Sequence, residues 1–227
     1  MTHPQPPLSA QAVVEFHDQL LARDDWPVAA EPVLAGLDEL WRWIGTNHRF
    51  NSLLWAEEDL ARRTQVADGE IAANKRAIDR YNQARNDATE RVDELLLLAL
   101  GLVDEASART DSPVSLAPAG ARLNSETAGS MIDRLSIMAL KAAAMGRQAQ
   151  RQDVDEAHRQ TSRGRLAQLL RQRADLAGCL DALVADTLQG LACFKVYRQF
   201  KMYNDARFNP VLGAERAATG PRPDTSG

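Results

Sequence analysis

The 227-residue sequence is poor in the residues that most catalytic and export signatures are built from: two cysteines, four lysines, four histidines and 5% aromatics. It also has no apolar run of the ~18 residues that a membrane-spanning helix needs, so no membrane span is expected. Cys179 and Cys193 stand fourteen positions apart on one expected helix. That is about 21 Å at ~1.5 Å per residue, too far for a disulfide, and both read as buried thiols. With so few histidines, neither His-Glu-x-x-His nor Glu-x-x-His occurs, which argues against a zinc hydrolase or a dimetal carboxylate site. Neither a metal nor a cofactor is expected. Asp155, Glu156, Ala157 and His158 spell a helicase-like box, but no Gly-x4-Gly-Lys-Ser/Thr loop accompanies it, so the match is chance.

The formal net charge is -4, and the surplus of basic residues that a phosphate backbone requires is missing, so nucleic acid is not expected as a partner. Residues 1–146 carry -8 and residues 147–207 carry +4. The cationic side chains are mostly arginine, a bias of codon usage more than of chemistry. The opening MTHPQPPLSAQ has no basic start followed by an apolar stretch, so no signal peptide is read there and the expected compartment is the cytoplasm.

A 3.6-residue apolar period runs almost throughout and no alternating strand is evident, so the class is all-α: a bundle of about five helices, three or four of them long and antiparallel. Tails at 1–7 and 209–227 are expected to be disordered, leaving a single helical domain at 8–208. Ser9 caps a first helix to about residue 23. A second runs over 31–63 with a kink at Gly45, a third over 69–106, a fourth over 125–151 and a fifth from 153 to about 204. Residues 107–124, rich in serine, proline and alanine, form one long surface linker.

Several apolar stripes turn polar along their length. In the second helix Val33, Leu37, Trp41 and Ile44 share a face with His48, Asn51, Trp55 and Glu58. Asn82 and Arg85 interrupt the Ile71, Ile78, Val92, Leu96 stripe of the third. Glu126, Ser130 and Asp133 open a stripe of the fourth, and the fifth runs from Leu191 and Phe194 into Arg198 and Lys201. Buried ions need partners or water, so these groups form either a salt-bridge network or a wet pocket. In a pocket, Arg85, Arg198 and Lys201 would hold a carboxylate or phosphate, with Asn51, Asn82 and Glu126 completing the ligand shell. His48 would carry a proton, with Glu58 or Asp133 as the second catalytic group. Antiparallel packing of the second and third helices about a turn near Val66 places His48 and Asn51 level with Asn82 and Arg85.

The segments NSLLWAEEDLAR (51–62), IAANKRAIDRYNQARNDATERVDE (71–94), ETAGSMIDRLSIMALK (126–141) and YRQFKMYND (197–205) resemble the bacterial family called domain of unknown function 4254. The resemblance spans about 47–210. It implies a cytoplasmic helical protein, often encoded near sugar transferases, whose activity is unassigned. Where this family carries bulkier residues after Lys141, including an aromatic and a histidine, this chain has Ala142, Ala143 and Ala144. The leading functional expectation is a small anionic metabolite bound, or transformed, in glycan or specialised metabolism. The rival is a noncatalytic homodimer or a scaffold that docks onto a biosynthetic enzyme.

Overall fold

A computed structural model describes residues 6–198, 202 and 205–219, with the side chains of 216, 217 and 219 outside the description. It divides into two compact units, one ending at Val196 and the other beginning at Tyr197. The first unit holds helices α1 (Ala10–Leu21), α2 (Ala30–Leu34), α3 (Glu39–Leu60), α4 (Asp68–Ala99), α5 (Glu105–Ala108), α6 (Ala128–Gln150) and α7 (Glu156–Leu188). The long helices form two antiparallel hairpins, α3 with α4 and α6 with α7. The hairpins meet where α6 packs on α3 and α4, and α1 lies against α6 and α7. Among the described residues no helix is long and apolar enough to cross a membrane.

Short polar side chains set the helix starts. Ser9, Asp38, Thr127 and Asp155 each accept a hydrogen bond from a first-turn backbone N–H, satisfying donors that have no partner inside the helix. The expected second helix is therefore two: α2 stops before Gly36, and Asp38 begins α3 afresh. Gly45 makes no break. It lies inside α3 where a Cβ would run into the Leu34 side chain, so α2 folds back onto α3 at that point. The first unit's core centres on Val13, Ile44, Val92, Leu96, Leu97, Ile132, Leu135, Leu180, Val184 and Phe194.

Two helices end earlier than their periodicity implies, for one reason. After α4 the chain reaches Gly101 at φ 68°, with Leu102 N–H donating to Leu97 O; after α7 it reaches Gly190 at φ 72°, with Leu191 N–H donating to Asp186 O. A left-handed residue closing a six-to-one bond is the glycine stop of a helix, and it overrides an apolar stripe that continues beyond it. The expected fifth helix thus ends at Leu188. Ala192–Cys193 instead pairs in parallel with Arg122–Leu123, a two-stranded sheet that an all-helical reading does not contain. The expected 107–124 linker is pinned by this sheet and by Leu116 N–H donating to Leu102 O. The cysteines also separate: Cys193 is buried on the strand, whereas Cys179 is exposed on α7.

In the second unit, α8 (Pro210–Thr219) lies within the stretch expected to be disordered. Proline suits a first helical position, Asn209 accepts from Val211 N–H, and the following segment is rich in alanine.

Candidate functional site

Three elements enclose a cleft of about 460 Å³: Asn51, Leu54, Trp55, Glu58 and Asp59 from α3 with Arg62 just beyond it, Asn82 and Arg85 from α4, and Ile137 and Leu140 from α6. The volume lies within the range of small-molecule sites. Four of the residues picked from the sequence, Asn51, Glu58, Asn82 and Arg85, line it together. The expected level of the two helices is also observed, since Asn47 of α3 donates to Thr89 of α4 at 3.0 Å and Phe50 lies against Tyr81.

Behind the cleft a hydrogen-bonded cluster fixes its polar wall. The Asn47 and Asn51 side-chain amides both donate to Asp133 Oδ1 at 2.8 Å, and Asn51 also donates to Ser136 Oγ at 3.0 Å. Ser136 in turn faces His48 Nδ1 at 2.8 Å. Because Ser136 accepts from Asn51, its single proton is available to His48. Arg85 stands on the cleft side of Asp133, with its Nε 4.0 Å from Oδ1, and Nη2 donates to Asn86 at 3.0 Å. Nε has no hydrogen-bond partner. At 4.0 Å the Arg85 and Asp133 charges attract without forming a closed fork; Nε is itself buried, so Nη1, which makes no hydrogen bond among the described residues, is the donor left for another oxyanion. At the other end, Arg62 lies 3.5 Å from Glu58 and 3.7 Å from Asp59, which balances those carboxylates.

The other expected site residues lie elsewhere. His48 does not line the cleft: it is fully buried, with its ring stacked on His17 at 4.5 Å and on Trp26 at 5.6 Å between centroids. Burial, reinforced by the Arg173 charge, pushes its pKa down to about 3, so the ring is neutral across the physiological range. His17 is driven well below the ordinary imidazole value by burial, with His48 and Arg173 adding to it. Glu126 binds Arg134 at 2.6 Å and lines a separate groove between α6 and α7. Arg198 belongs to the second unit and is not on the helix expected to carry it, because α7 ends at Leu188. Lys201 lies outside the described residues. Among the described residues no group of three or more His, Cys, Asp or Glu side chains is placed to hold a metal ion.

Some structural residues carried no separate signal in the sequence. Arg173 of α7 is buried, donates to Asp18 at 3.0 Å and to the Val14 carbonyl at 2.9 Å, and so ties α1 to the bundle. Asp93 of α4 is buried and accepts from Gly129 N–H at 2.6 Å. Burial pushes its pKa up to about 7; the Thr127 hydroxyl and Gly129 N–H oppose the shift, while Glu90 and Glu94 add to it. Gly129 permits this contact, since a Cβ there would meet Thr89 O at 2.7 Å and the Asp93 carboxyl at 2.8 Å. Asn47 was legible in principle, being four residues before Asn51 on the same helix face.

The residues of the cleft and of the cluster behind it fall within one stretch of sequence. The model of a family described as protein of unknown function (DUF4254) matches residues 41–196. The first three of the four resembling segments lie inside that match, and the fourth, at 197–205, lies beyond it. No curated protein and no solved structure matches the chain. The chain belongs to the DUF4254 family.

Proposed function

We propose that the cleft between α3, α4 and α6 binds a small polar metabolite through an oxyanion held at Arg85. The observation that carries this reading is the Arg85 guanidinium: it lines a cleft of ligand size, is steadied by Asp133 at 4.0 Å, and has Nη1 without a hydrogen bond among the described residues. Asn82 flanks it with an amide that can donate or accept, whereas Asn51, whose NH2 group is held by Asp133 and Ser136, has only its carbonyl oxygen to offer. Glu58 is seven residues beyond Asn51 on α3, about 10 Å along the helix. A ligand that reaches from Arg85 to Glu58 therefore carries an acidic group at one end and hydroxyls or an amine at the other. Trp55, Leu54, Ile137 and Leu140 supply an apolar wall for its carbon skeleton.

The reading assigns binding to the cleft. Asp133 acts on the ligand only through Arg85 and Asn51. Glu58 is the carboxylate placed to accept a proton from a bound molecule, with Arg62 3.5 Å away as its counter-charge. Titration with inorganic phosphate, a hexose phosphate and a hydroxy acid, followed by Trp55 fluorescence against a Trp55→Phe control, tests the reading. At least one probe is expected to change the Trp55 signal saturably in wild type and to do so at least about tenfold more weakly in Arg85→Ala, the loss of one charge-assisted bond. Equal binding by wild type and Arg85→Ala would remove Arg85 from the site.

A further inference from the structure

We infer that the groove between α6 and α7 is a docking surface for a second copy of this chain, related by a two-fold axis that crosses the hairpin between Lys141 of α6 and Asp175 of α7. The groove shares one lining residue, Ile137, with the α3–α4–α6 cleft. The groove, of about 950 Å³, is floored by Met131, Ile137, Met138, Leu169, Leu176 and Leu183. Two charges on its lining have no ion-pair partner within the chain among the described residues: Lys141 of α6 and Asp175 of α7. They cannot pair with each other. His158 Nε2 lies 3.1 Å from Gln148 Oε1 and sets the register of the hairpin. Lys141 is seven residues back from that level and Asp175 is seventeen beyond it, so they stand ten residues apart, about 15 Å along the groove.

A two-fold axis midway between them, twelve residues from the Gln148–His158 level, brings Lys141 of each copy level with Asp175 of the other. An isologous contact of this kind makes both pairs at once. At the level of the axis stand Ile137, Met138 and Leu169, each half-buried in the single chain and apolar. Two α6–α7 hairpins set face to face across this axis make a four-helix bundle. Charge complementarity and the apolar strip at the axis select a second copy over an unrelated partner.

The test is a charge swap read by sedimentation equilibrium on the full chain. Wild type is expected near twice 25.0 kDa at micromolar concentration. Lys141→Asp places two carboxylates together at each pair and is expected to weaken the dimer by at least about tenfold, as is Asp175→Lys. The double variant Lys141→Asp with Asp175→Lys restores both pairs with signs exchanged and is expected to return to within about threefold of wild type. Both residues are exposed, so the swaps leave the fold intact, and circular dichroism checks this. A monomeric wild type at these concentrations, or a dimer that neither single swap weakens, would overturn the inference. So would a double variant no better than the singles.

Discussion

Replacing Asp93 by asparagine separates a buried carboxyl that holds a proton from one that is merely paired. The native pKa is pushed up to about 7 against 3.8 for an ordinary carboxyl. The folded state therefore keeps a proton that the unfolded chain has lost. This contribution to stability is full below about pH 3.8 and disappears as pH rises through about 7. A tenfold difference in proton affinity between folded and unfolded chain is worth ~1.4 kcal/mol, so the whole contribution is about 4 kcal/mol, of which about 2 kcal/mol is lost between about pH 5.5 and 8.5. Asparagine keeps the acceptor for Gly129 N–H and an amide for the Thr127 hydroxyl, and it cannot ionise. Urea unfolding of wild type and Asp93→Asn at both pH values isolates this contribution, because every other titrating group cancels in the difference. Asp93→Asn is expected to gain about 2 kcal/mol on wild type between the lower and the higher pH. A difference between the two proteins that does not change with pH would refute the burial of this carboxyl.

The remaining predictions concern the same interior. His48, depressed to about 3 from 6.5, contributes stability that is present above about pH 6.5 and is lost progressively as pH falls towards 3. Unfolding at about pH 7.5 and 5 should therefore show wild type losing about 2 kcal/mol more than His48→Gln; parallel losses would contradict a neutral, buried ring. Gly129→Ala drives a methyl into Thr89 O and the Asp93 carboxyl, and chemical denaturation should record a loss of about 1–3 kcal/mol or more. Asp133→Ala strips the common acceptor from the Asn47 and Asn51 amides, and buried donors left without it should cost about 1–3 kcal/mol in the same assay. Arg85→Ala, at the wet rim of the cleft, should cost distinctly less.

Much of the first unit was legible because long helices with one apolar face announce themselves by period. The pairing of α3 with α4 also followed from the short connection between them, and with it the meeting of Asn51, Glu58, Asn82 and Arg85 in one cleft. Helix ends were harder to read. The stripes through Val103 and through Leu191 and Phe194 continue past Gly101 and Gly190, and in both places the left-handed glycine decided the outcome. That error carried Arg198 onto a helix that does not extend so far. His48 shows a different limit: its position on the α3 stripe says that it faces inward, but its enclosure by His17 and Trp26 comes from α1 and the segment before α2. Glu126 likewise sits before α6 on a connection whose path is set by pairing with Ala192–Cys193, which no local pattern around either segment reveals.

Native mass spectrometry of the freshly purified chain, wild type beside Arg85→Ala, tests the cleft most directly. The account predicts a small acidic compound retained on wild type, or taken up from the phosphate, sugar-phosphate and hydroxy-acid probes, and its loss from Arg85→Ala while the folded charge-state distribution is unchanged. Wild type that stays bare with every probe, or a compound held equally by both proteins, would contradict it.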